Sequence, residues 1–232
     1  MELDELLRPF LRAEGYLSER ADADLPTLEL ADRVSDMIGV VLQDITLPPH
    51  DGEPNDAWEQ RRAAMYLGIL GARSLRSQMV LQRYGYDAEA YVFQRRIIEI
   101  HSRVERIVDP VNGPQRAREW LKGGDSKPSR VVDIPQWFWN GLSHVAHADY
   151  RAVQQHLIRP RDDGQNDFIV LPYRSIDGGN AALLHSASLG LEIVLYITRL
   201  VGREKVAGME QLTADLAAAA RRWMKGPPEA GS

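Results

Sequence analysis

The 232-residue chain has no cysteine, and only four of its 28 basic residues are lysines. Without thiols it can form no disulfide bond, thiolate zinc site or iron–sulfur cluster, and it has no cysteine nucleophile. The other 24 basic residues are arginines, a bias typical of a GC-rich genome, so we interpret it first as nucleotide composition. Any chemistry must therefore come from the six histidines and the carboxylates.

Motifs that bind phosphate or activate a serine are also missing. The sequence contains no G-x-G-x-x-G or Walker A loop, no H-E-x-x-H pair and no G-x-S-x-G elbow. An acidic run at 162–167 lacks the ligand spacing and the final glutamate of an EF-hand, so we interpret it as a solvated loop. We therefore expect no cofactor.

Targeting signals and long apolar runs are scarce too. The first residues, Met1 to Glu5, are acidic where a signal peptide is basic. The most apolar stretch, Leu189–Val201, contains Glu192 and Arg199 and is too short to cross a bilayer. The net charge of -5 argues against broad nonspecific binding to nucleic acid. We expect a cytoplasmic protein without membrane contact.

Hydrophobic spacing is helical along nearly the whole chain. A break at Gly15 and an acidic link at Ala21–Pro26 separate the first two helices, and Asn55 and Asp87 are placed to cap the third and fourth. The third and fourth helices are joined by so few residues that they should pack antiparallel. The predicted helices cover approximately residues 3–14, 27–45, 55–83, 88–108, 115–121, 133–148, 180–201 and 209–224.

These elements predict an all-α protein, a single helical bundle of about six to eight helices. We expect N-terminal helices in 1–53 that pack on a main bundle at 54–224, followed by a disordered tail at 225–232. An irregular insertion near 159–179 is rich in Asp, Gly, Pro and Asn and contains one short β-like run, Phe168–Leu171.

Two helices carry polar stripes beside their apolar faces. On the helix from Asp133, polar residues recur at helical spacing: Asn140, Ser143, His144, His147 and Arg151. His144 and His147 are three residues apart, so their imidazoles could bind a metal ion or carry protons side by side. The alternative is that they bond to water or backbone at the edge of the core.

The second stripe lies on the fourth predicted helix. Arg95 and Glu99 are four residues apart and can form an ion pair, while His101 lies within the apolar sector. An exposed pair would contribute roughly a few tenths of a kcal/mol. A partly buried pair would instead let Arg95 keep Glu99 ionised and let Glu99 orient an imidazole.

The same helix contains a pattern similar to the signature of HEPN ribonucleases, R-x(4–6)-H, in which the two side chains act on RNA phosphate at a dimer interface. The pattern occurs from Arg96 to His101, from Arg95 to His101 and from Arg151 to His156. With 24 arginines and six histidines, chance alone gives about two matches over these three spacings. The pattern by itself therefore carries little information.

Four motifs follow one another within about Arg73–Val201, ahead of the last long apolar helix: R-x-x-x-E at Arg95–Glu99, a break at Asp109-Pro110, R-x-x-x-W at Arg116–Trp120, and L-S-x-x-x-H at Leu142–His147. This order resembles a widespread bacterial family of helical proteins whose function is unknown. The resemblance implies an all-α fold and a polar cluster of Arg95, Glu99, Ser143 and His147, and it implies no established activity.

Three functions are compatible with these features. The first, which we favour, is a binding or scaffold protein whose polar cluster fixes helix register. The second is a HEPN-like, metal-independent ribonuclease of a defence or toxin system, acting as a homodimer. The third is a metal-dependent enzyme, although the sequence lacks the E-x-x-H pairs of a di-iron bundle.

Each function assigns roles to a small set of side chains. The metal-dependent enzyme would need Glu99, His144 and His147, together with His185 or Glu192, in the core, and its metal ligands on the histidine stripe would be His144 and His147. The ribonuclease would use Arg95 or Arg96 with His101 or His147. The candidate catalytic residues are Arg95, Glu99, His101, Ser143 and His147. The partner would be RNA or another protein.

Overall fold

The computed structural model describes residues 3–45, 54–123, 139–140, 142, 158–160, 166–168, 172–203 and 206–224. These residues form an all-α bundle, which confirms the predicted fold class. They contain seven helices and one short hairpin: α1 (Leu3–Asp24), α2 (Leu28–Leu42), α3 (Asn55–Arg83), α4 (Asp87–Ile107), α5 (Gly113–Leu121), β1 (Ile158–Pro160), β2 (Asn166–Phe168), α6 (Ile176–Leu200) and α7 (Met209–Met224). Trp139, Asn140 and Leu142 are also helical.

Helix α6 is one of the core helices of the bundle. It packs on α2, α3 and α4 and also contacts α7. Gly190 allows α6 to approach α2 closely, since a Cβ at this position would lie 2.7 Å from Val34 Cγ1. The buried face of α2 joins the same core as α3, α4 and α6, and it consists of Leu28, Ala31, Val34, Ile38 and Val41.

By length and composition, α6 is the one described helix that could cross a membrane, with a mean hydropathy of 1.5 over its most apolar window. In the bundle, 67% of that window is buried. The stretch predicted from the sequence, Leu189–Val201, covers only the second half of the helix. Alanines and leucines in the first half make the apolar helix longer than expected.

Helices α3 and α4 form a hairpin through the turn Tyr84–Tyr86. Gly85 has a φ of 84°, in the left-handed region that favours glycine. A Cβ at Gly85 would also overlap Leu17 of α1. The Gly85 carbonyl accepts the backbone N–H of Tyr173 at 2.8 Å, so the turn contacts both α1 and the segment before α6.

Helix α1 does not break at Gly15, so the predicted break was wrong. A glycine inside a helix costs about 1 kcal/mol relative to alanine. Contacts on both sides of Gly15 compensate for this cost: the Tyr86 hydroxyl donates to the Glu14 carboxylate, and the Leu17 carbonyl accepts from Arg174 Nη2 at 2.5 Å. Tertiary contacts therefore override the local preference.

The predicted caps at Asn55 and Asp87 were also wrong. Each is the first residue of its helix, and neither α3 nor α4 has a side-chain cap bond. The Asp87 carboxylate instead accepts the backbone N–H of Ser175 at 2.6 Å. Ser175 caps α6 by accepting the Gly178 N–H at 3.2 Å, so α6 begins at Ile176 and not near residue 180.

Strands β1 and β2 lie in the segment predicted to be irregular. They pair antiparallel, with Ile158 opposite Phe168. Because β2 covers Asn166–Phe168, it overlaps the predicted β-like run only at Phe168. The predicted helix start at Asp133, residues 169–171 of the β-like run and the predicted tail at 225–232 lie outside the described residues.

A buried arginine joins three parts of the fold. The side chain of Arg174 is 1% exposed, and its guanidinium pairs with Asp24 Oδ2 at 3.0 Å. It also donates to the backbone carbonyls of Leu17 in α1 and of Gln82 and Arg83 in α3. The last two belong to the final turn of α3, whose carbonyls have no partner in a regular helix. Arg174 therefore binds α1 and the start of α6 to the C-terminal end of α3.

Asp87 lies beside this arginine. Burial raises the pKa of Asp87 to about 6, while the bond from the Ser175 N–H and the charge of Arg174 act in the opposite direction. Because this pKa is above the ordinary value of 3.8, protonation of Asp87 favours the folded state. Its contribution to stability is fully present below the ordinary value and is lost as the pH rises through about 6.

Replacing Arg174 by Met should lower the free energy of unfolding by about 3–5 kcal/mol, because Asp24 and three carbonyls would lose a buried partner. Urea unfolding followed by circular dichroism measures this loss. Arg20→Met is the matched control, since Arg20 pairs with the same Asp24 at 3.4 Å but is 54% exposed. We expect that control to lose less than about 1 kcal/mol. Equal losses in the two variants would contradict the role of Arg174.

Two glutamines of α3 lie inside the core. Gln78 and Gln82 are both 0% exposed. Gln82 Nε2 donates to the Gly179 carbonyl at 3.4 Å, whereas neither amide atom of Gln78 has a hydrogen-bond partner among the residues that the structure describes. A buried polar group without a partner costs about 1–3 kcal/mol. We therefore expect Gln78 to reduce the stability of the core in which it packs.

We expect Gln78→Leu to raise the free energy of unfolding by about 1–2 kcal/mol, since the substitution removes a desolvation cost and keeps most of the volume. Differential scanning calorimetry would show the gain as a higher Tm. Gln82→Leu is the control: it removes a bond to Gly179 and should give no gain. A loss of stability in Gln78→Leu would show that this amide stabilises the fold.

Candidate functional site

Polar side chains face one another along the contact between α4 and α6. On α6, His185, Glu192 and Tyr196 are separated by seven and four residues, so they lie on one face. On α4, Gln94 and His101 are also seven residues apart, and they contact His185 and Glu192 respectively. In both contacts the α6 residue lies 91 positions after the α4 residue, which shows that the two helices run parallel. We call these five residues the α4–α6 cluster.

The shortest contact in the cluster joins His101 to Glu192. His101 Nε2 lies 2.5 Å from Glu192 Oε2. The imidazole is 13% exposed, whereas the carboxylate is 50% exposed. The hydrogen bond from His101 lowers the pKa of Glu192, although partial burial opposes this effect. The His101 ring also packs at a tilt against Tyr196, with 5.6 Å between ring centroids.

His185 lies two helical turns before Glu192 on α6. Its Nδ1 is 3.2 Å from Gln94 Nε2. Because an amide nitrogen can only donate, this contact makes Nδ1 an acceptor, which a neutral imidazole provides. Burial lowers the pKa of His185 and the nearby His101 lowers it further, while Glu192 acts in the opposite direction. Both the contact and the burial favour the neutral form of His185.

The predicted ion pair on α4 forms. Arg95 Nε lies 3.2 Å from Glu99 Oε1, and the two side chains are 20% and 25% exposed. Arg103 lies 3.7 Å from the other oxygen of Glu99. The guanidinium of Arg95 also lies over the ring of Trp139, 5.1 Å from its centroid, in a cation–π contact. Glu99 therefore lies between two arginines. Among the described residues, the carboxylate that contacts an imidazole is that of Glu192 and not that of Glu99.

On α4, the HEPN-like pattern does not place its arginines and its histidine on one face of the helix. Arg96 and His101 are five residues apart, so they point about 140° apart around the axis of α4. Arg96 is exposed, whereas His101 contacts α6. Arg95 points about 120° from His101 in the other direction and pairs with Glu99. The third match, which ends at His156, lies outside the described residues.

Three of the predicted site residues, Ser143, His144 and His147, lie outside the described residues. Their spatial relation to Arg95 and Glu99 therefore stays a prediction. Within the described ranges, no group of three or more His, Asp or Glu side chains could hold a metal ion.

Sequence analysis missed Gln94, Trp139 and Tyr196 as members of this region. It interpreted Glu192 mainly as an interruption of an apolar stretch. The signal was present, however, because Glu192 follows His185 by two helical turns and precedes Tyr196 by one. A polar stripe on a helix that is otherwise apolar would have predicted a second polar surface facing His101.

Comparison with known proteins identifies no relative. No family model matches the sequence, and no curated protein or solved structure matches it either. The resemblance to the bacterial helical family and the similarity to the HEPN signature stay predictions. The geometry of the cluster therefore carries the functional argument.

The charge state of His185 should affect stability. The pKa of His185 is lowered in the folded state from its ordinary value of 6.5. The contribution of His185 to the free energy of unfolding is therefore present above pH 6.5 and is lost as the pH falls from there through the folded-state pKa. His185→Asn keeps an acceptor for Gln94 and removes the titration. Its free energy of unfolding should therefore fall less than the parent's between about pH 7 and pH 5.

Urea unfolding of both proteins at the two pH values measures this difference. Asp87 contributes with the opposite sign, but it is present in both proteins, so its effect cancels in the comparison. If the free energy of unfolding of His185→Asn had the same pH dependence as that of the parent, protonation of His185 would not be linked to folding.

Proposed function

We propose that the protein is a non-catalytic binding or scaffold protein in which the α4–α6 cluster fixes the relative position of two core helices. The orientation of His101 toward Glu192 is the observation that carries this proposal. A histidine that works on a substrate needs one nitrogen directed to open space. The contacts of His101 favour a different role.

In acid–base pairs of the serine protease type, a buried carboxylate holds Nδ1 of the histidine, and Nε2 reaches the substrate. The arrangement here is reversed. Glu192 occupies Nε2, the nitrogen farther from the backbone, and the carboxylate is the more exposed partner. The imidazole itself is largely covered by α6. This geometry supports a packing role for His101.

Two arginines of α4, Arg95 and Arg103, support the same conclusion. A protein that cleaves RNA needs positive charge available for phosphate. Arg95 and Arg103 both lie against Glu99, which offsets part of their charge. Arg95 also lies against the ring of Trp139. The two ion pairs lie within α4 and the contact with Trp139 joins α4 to another helical segment, which favours a structural role for the stripe.

The two polar contacts explain how the cluster can fix register. One contact joins Gln94 to His185, and the other joins His101 to Glu192. The two contacts are separated by two turns on each helix. Sliding α6 along α4 would separate both pairs at once and leave the buried Gln94 and the mostly buried His101 without these partners. Such mismatches cost several times more than the pairs contribute, so they select one packing arrangement.

The role of His101 can be tested with two substitutions. His101→Ala should lower the free energy of unfolding by about 1–3 kcal/mol, because it removes the partner of Glu192 and leaves a cavity. His101→Gln should recover most of this loss, since the glutamine Nε2 can donate to Glu192 from a similar position. Thermal and urea unfolding provide the measurement.

The same proteins should be incubated with labelled single-stranded RNA, with and without divalent metal, and expressed in cells to score toxicity. We expect the parent and both variants to leave the RNA intact and to be equally harmless. The proposal fails if the parent cleaves RNA and His101→Gln abolishes cleavage at unchanged stability. That result would assign His101 to catalysis and support the HEPN-like alternative.

A further inference from the structure

A cleft of about 570 Å³ opens where the α1–α2 turn, the first turns of α6 and the end of α7 meet. This volume is suited to one small molecule. Four apolar residues form much of its lining: Pro26, Leu30, Leu184 and Ala219. The cleft shares no residue with the α4–α6 cluster, so a ligand there would be independent of the role proposed for His101.

An exposed indole lies at this cleft. Trp223 follows Leu216 by seven residues, so it continues the buried face of α7 that contains Leu212 and Leu216. Leu212 and Leu216 are almost fully buried, yet Trp223 is 50% exposed and lines the cleft. Half-exposed indole surface beside apolar side chains is suited to stacking against an aromatic ring. Trp223 lies in the last turn of α7, at the mouth of the cleft.

The polar side chains that line the cleft are of two kinds: some are hydrogen-bonded within the protein, and the others are charged. Thr27 Oγ1 donates to Asn180 Oδ1 at 2.8 Å, and the Asn180 amide donates to the Asp24 carbonyl at 2.9 Å. These groups therefore have partners within the protein. The charged groups are Arg222, next to Trp223, and Asp177, in the first turn of α6. Both are exposed, and they carry opposite signs.

We propose that this cleft binds a small aromatic zwitterion, the chemical class of the aromatic amino acids. The ring would stack on Trp223 and the apolar lining, the carboxylate would pair with Arg222, and the ammonium would pair with Asp177. A ligand with a single charge would meet only one of the two charged ends of the cleft. Complementary charges at both ends therefore favour the zwitterion.

Isothermal titration calorimetry of the full chain with three indole compounds tests the assignment. L-tryptophan carries both charges, tryptamine lacks the carboxylate, and indole-3-acetate lacks the ammonium. We expect L-tryptophan to bind at least about tenfold more tightly than either of the others. No measurable heat with any compound would overturn the proposal, and so would equal or tighter binding of tryptamine or indole-3-acetate.

Variants of the charged residues separate the two ends of the ligand. Arg222→Gln should weaken L-tryptophan and indole-3-acetate by about tenfold and leave tryptamine within about twofold. Asp177→Asn should weaken L-tryptophan and tryptamine and spare indole-3-acetate. Trp223→Ala should weaken all three compounds.

Arg221→Gln is the matched control, because Arg221 precedes Arg222 on the same exposed turn of α7 and does not line the cleft. We expect this control to bind L-tryptophan within about twofold of the parent. If Arg221→Gln lost as much affinity for L-tryptophan as Arg222→Gln, the effect would depend only on the overall charge of the protein. That result would overturn the proposed site. Circular dichroism of every variant confirms that the helices are retained.

Discussion

Arg174 lies where α1, the end of α3 and the segment leading into α6 meet, and its guanidinium binds groups of both helices. The next residue, Ser175, caps α6 and donates its backbone N–H to Asp87 at the start of α4. Two consecutive residues thus position the N-terminus of α6 against three other helices. Because α6 is rigid over 25 residues, its start also determines which of its side chains face α4. The contacts of His185 and Glu192 depend on this anchoring.

The polar groups around this anchor reduce stability as well as specify structure. Burial favours the protonated form of Asp87 and the neutral form of His185, so lowering the pH strengthens one contribution and weakens the other. The opposing signs reduce the net pH dependence of folding in mildly acidic solution. Gln78 adds a cost without a described partner. Under the register role proposed for the α4–α6 cluster, buried polar groups select a packing arrangement rather than add stability.

Most of the fold could be predicted because amphipathic periodicity is a local property of the sequence. The hydrophobic stripes of α3, α4 and α7 placed those helices to within a few residues. Predictions failed where a local signal competed with a distant contact. Gly15 is tolerated in α1 because Glu14 and Leu17 are held by Tyr86 and Arg174, and Asp87 bonds to Ser175 across the fold. None of these three contacts leaves a local pattern in the sequence.

The candidate site was predicted only in part, for a related reason. The Arg95–Glu99 pair lies within one helix, so its spacing of four residues was sufficient to predict it. The partner of His101 lies 91 positions away on α6, and sequence spacing cannot identify which of several carboxylates will face a given histidine. The periodicity of α6 could have narrowed the choice to Glu192. Determining the contact itself required the relative register of the two helices.

The two polar regions of α6 differ in how their hydrogen-bonding capacity is used. In the α4–α6 cluster, Gln94 bonds to His185 and His101 bonds to Glu192, so a ligand there would have to replace contacts between the two helices. At the N-terminal end of α6, Asp177 is exposed beside an apolar cleft and an exposed indole, and a ligand could reach it without disturbing the core. Recognition at low energetic cost requires groups that are already open to solvent. A protein that used the cluster for register and the cleft for binding would keep these two requirements on separate turns of the same helix.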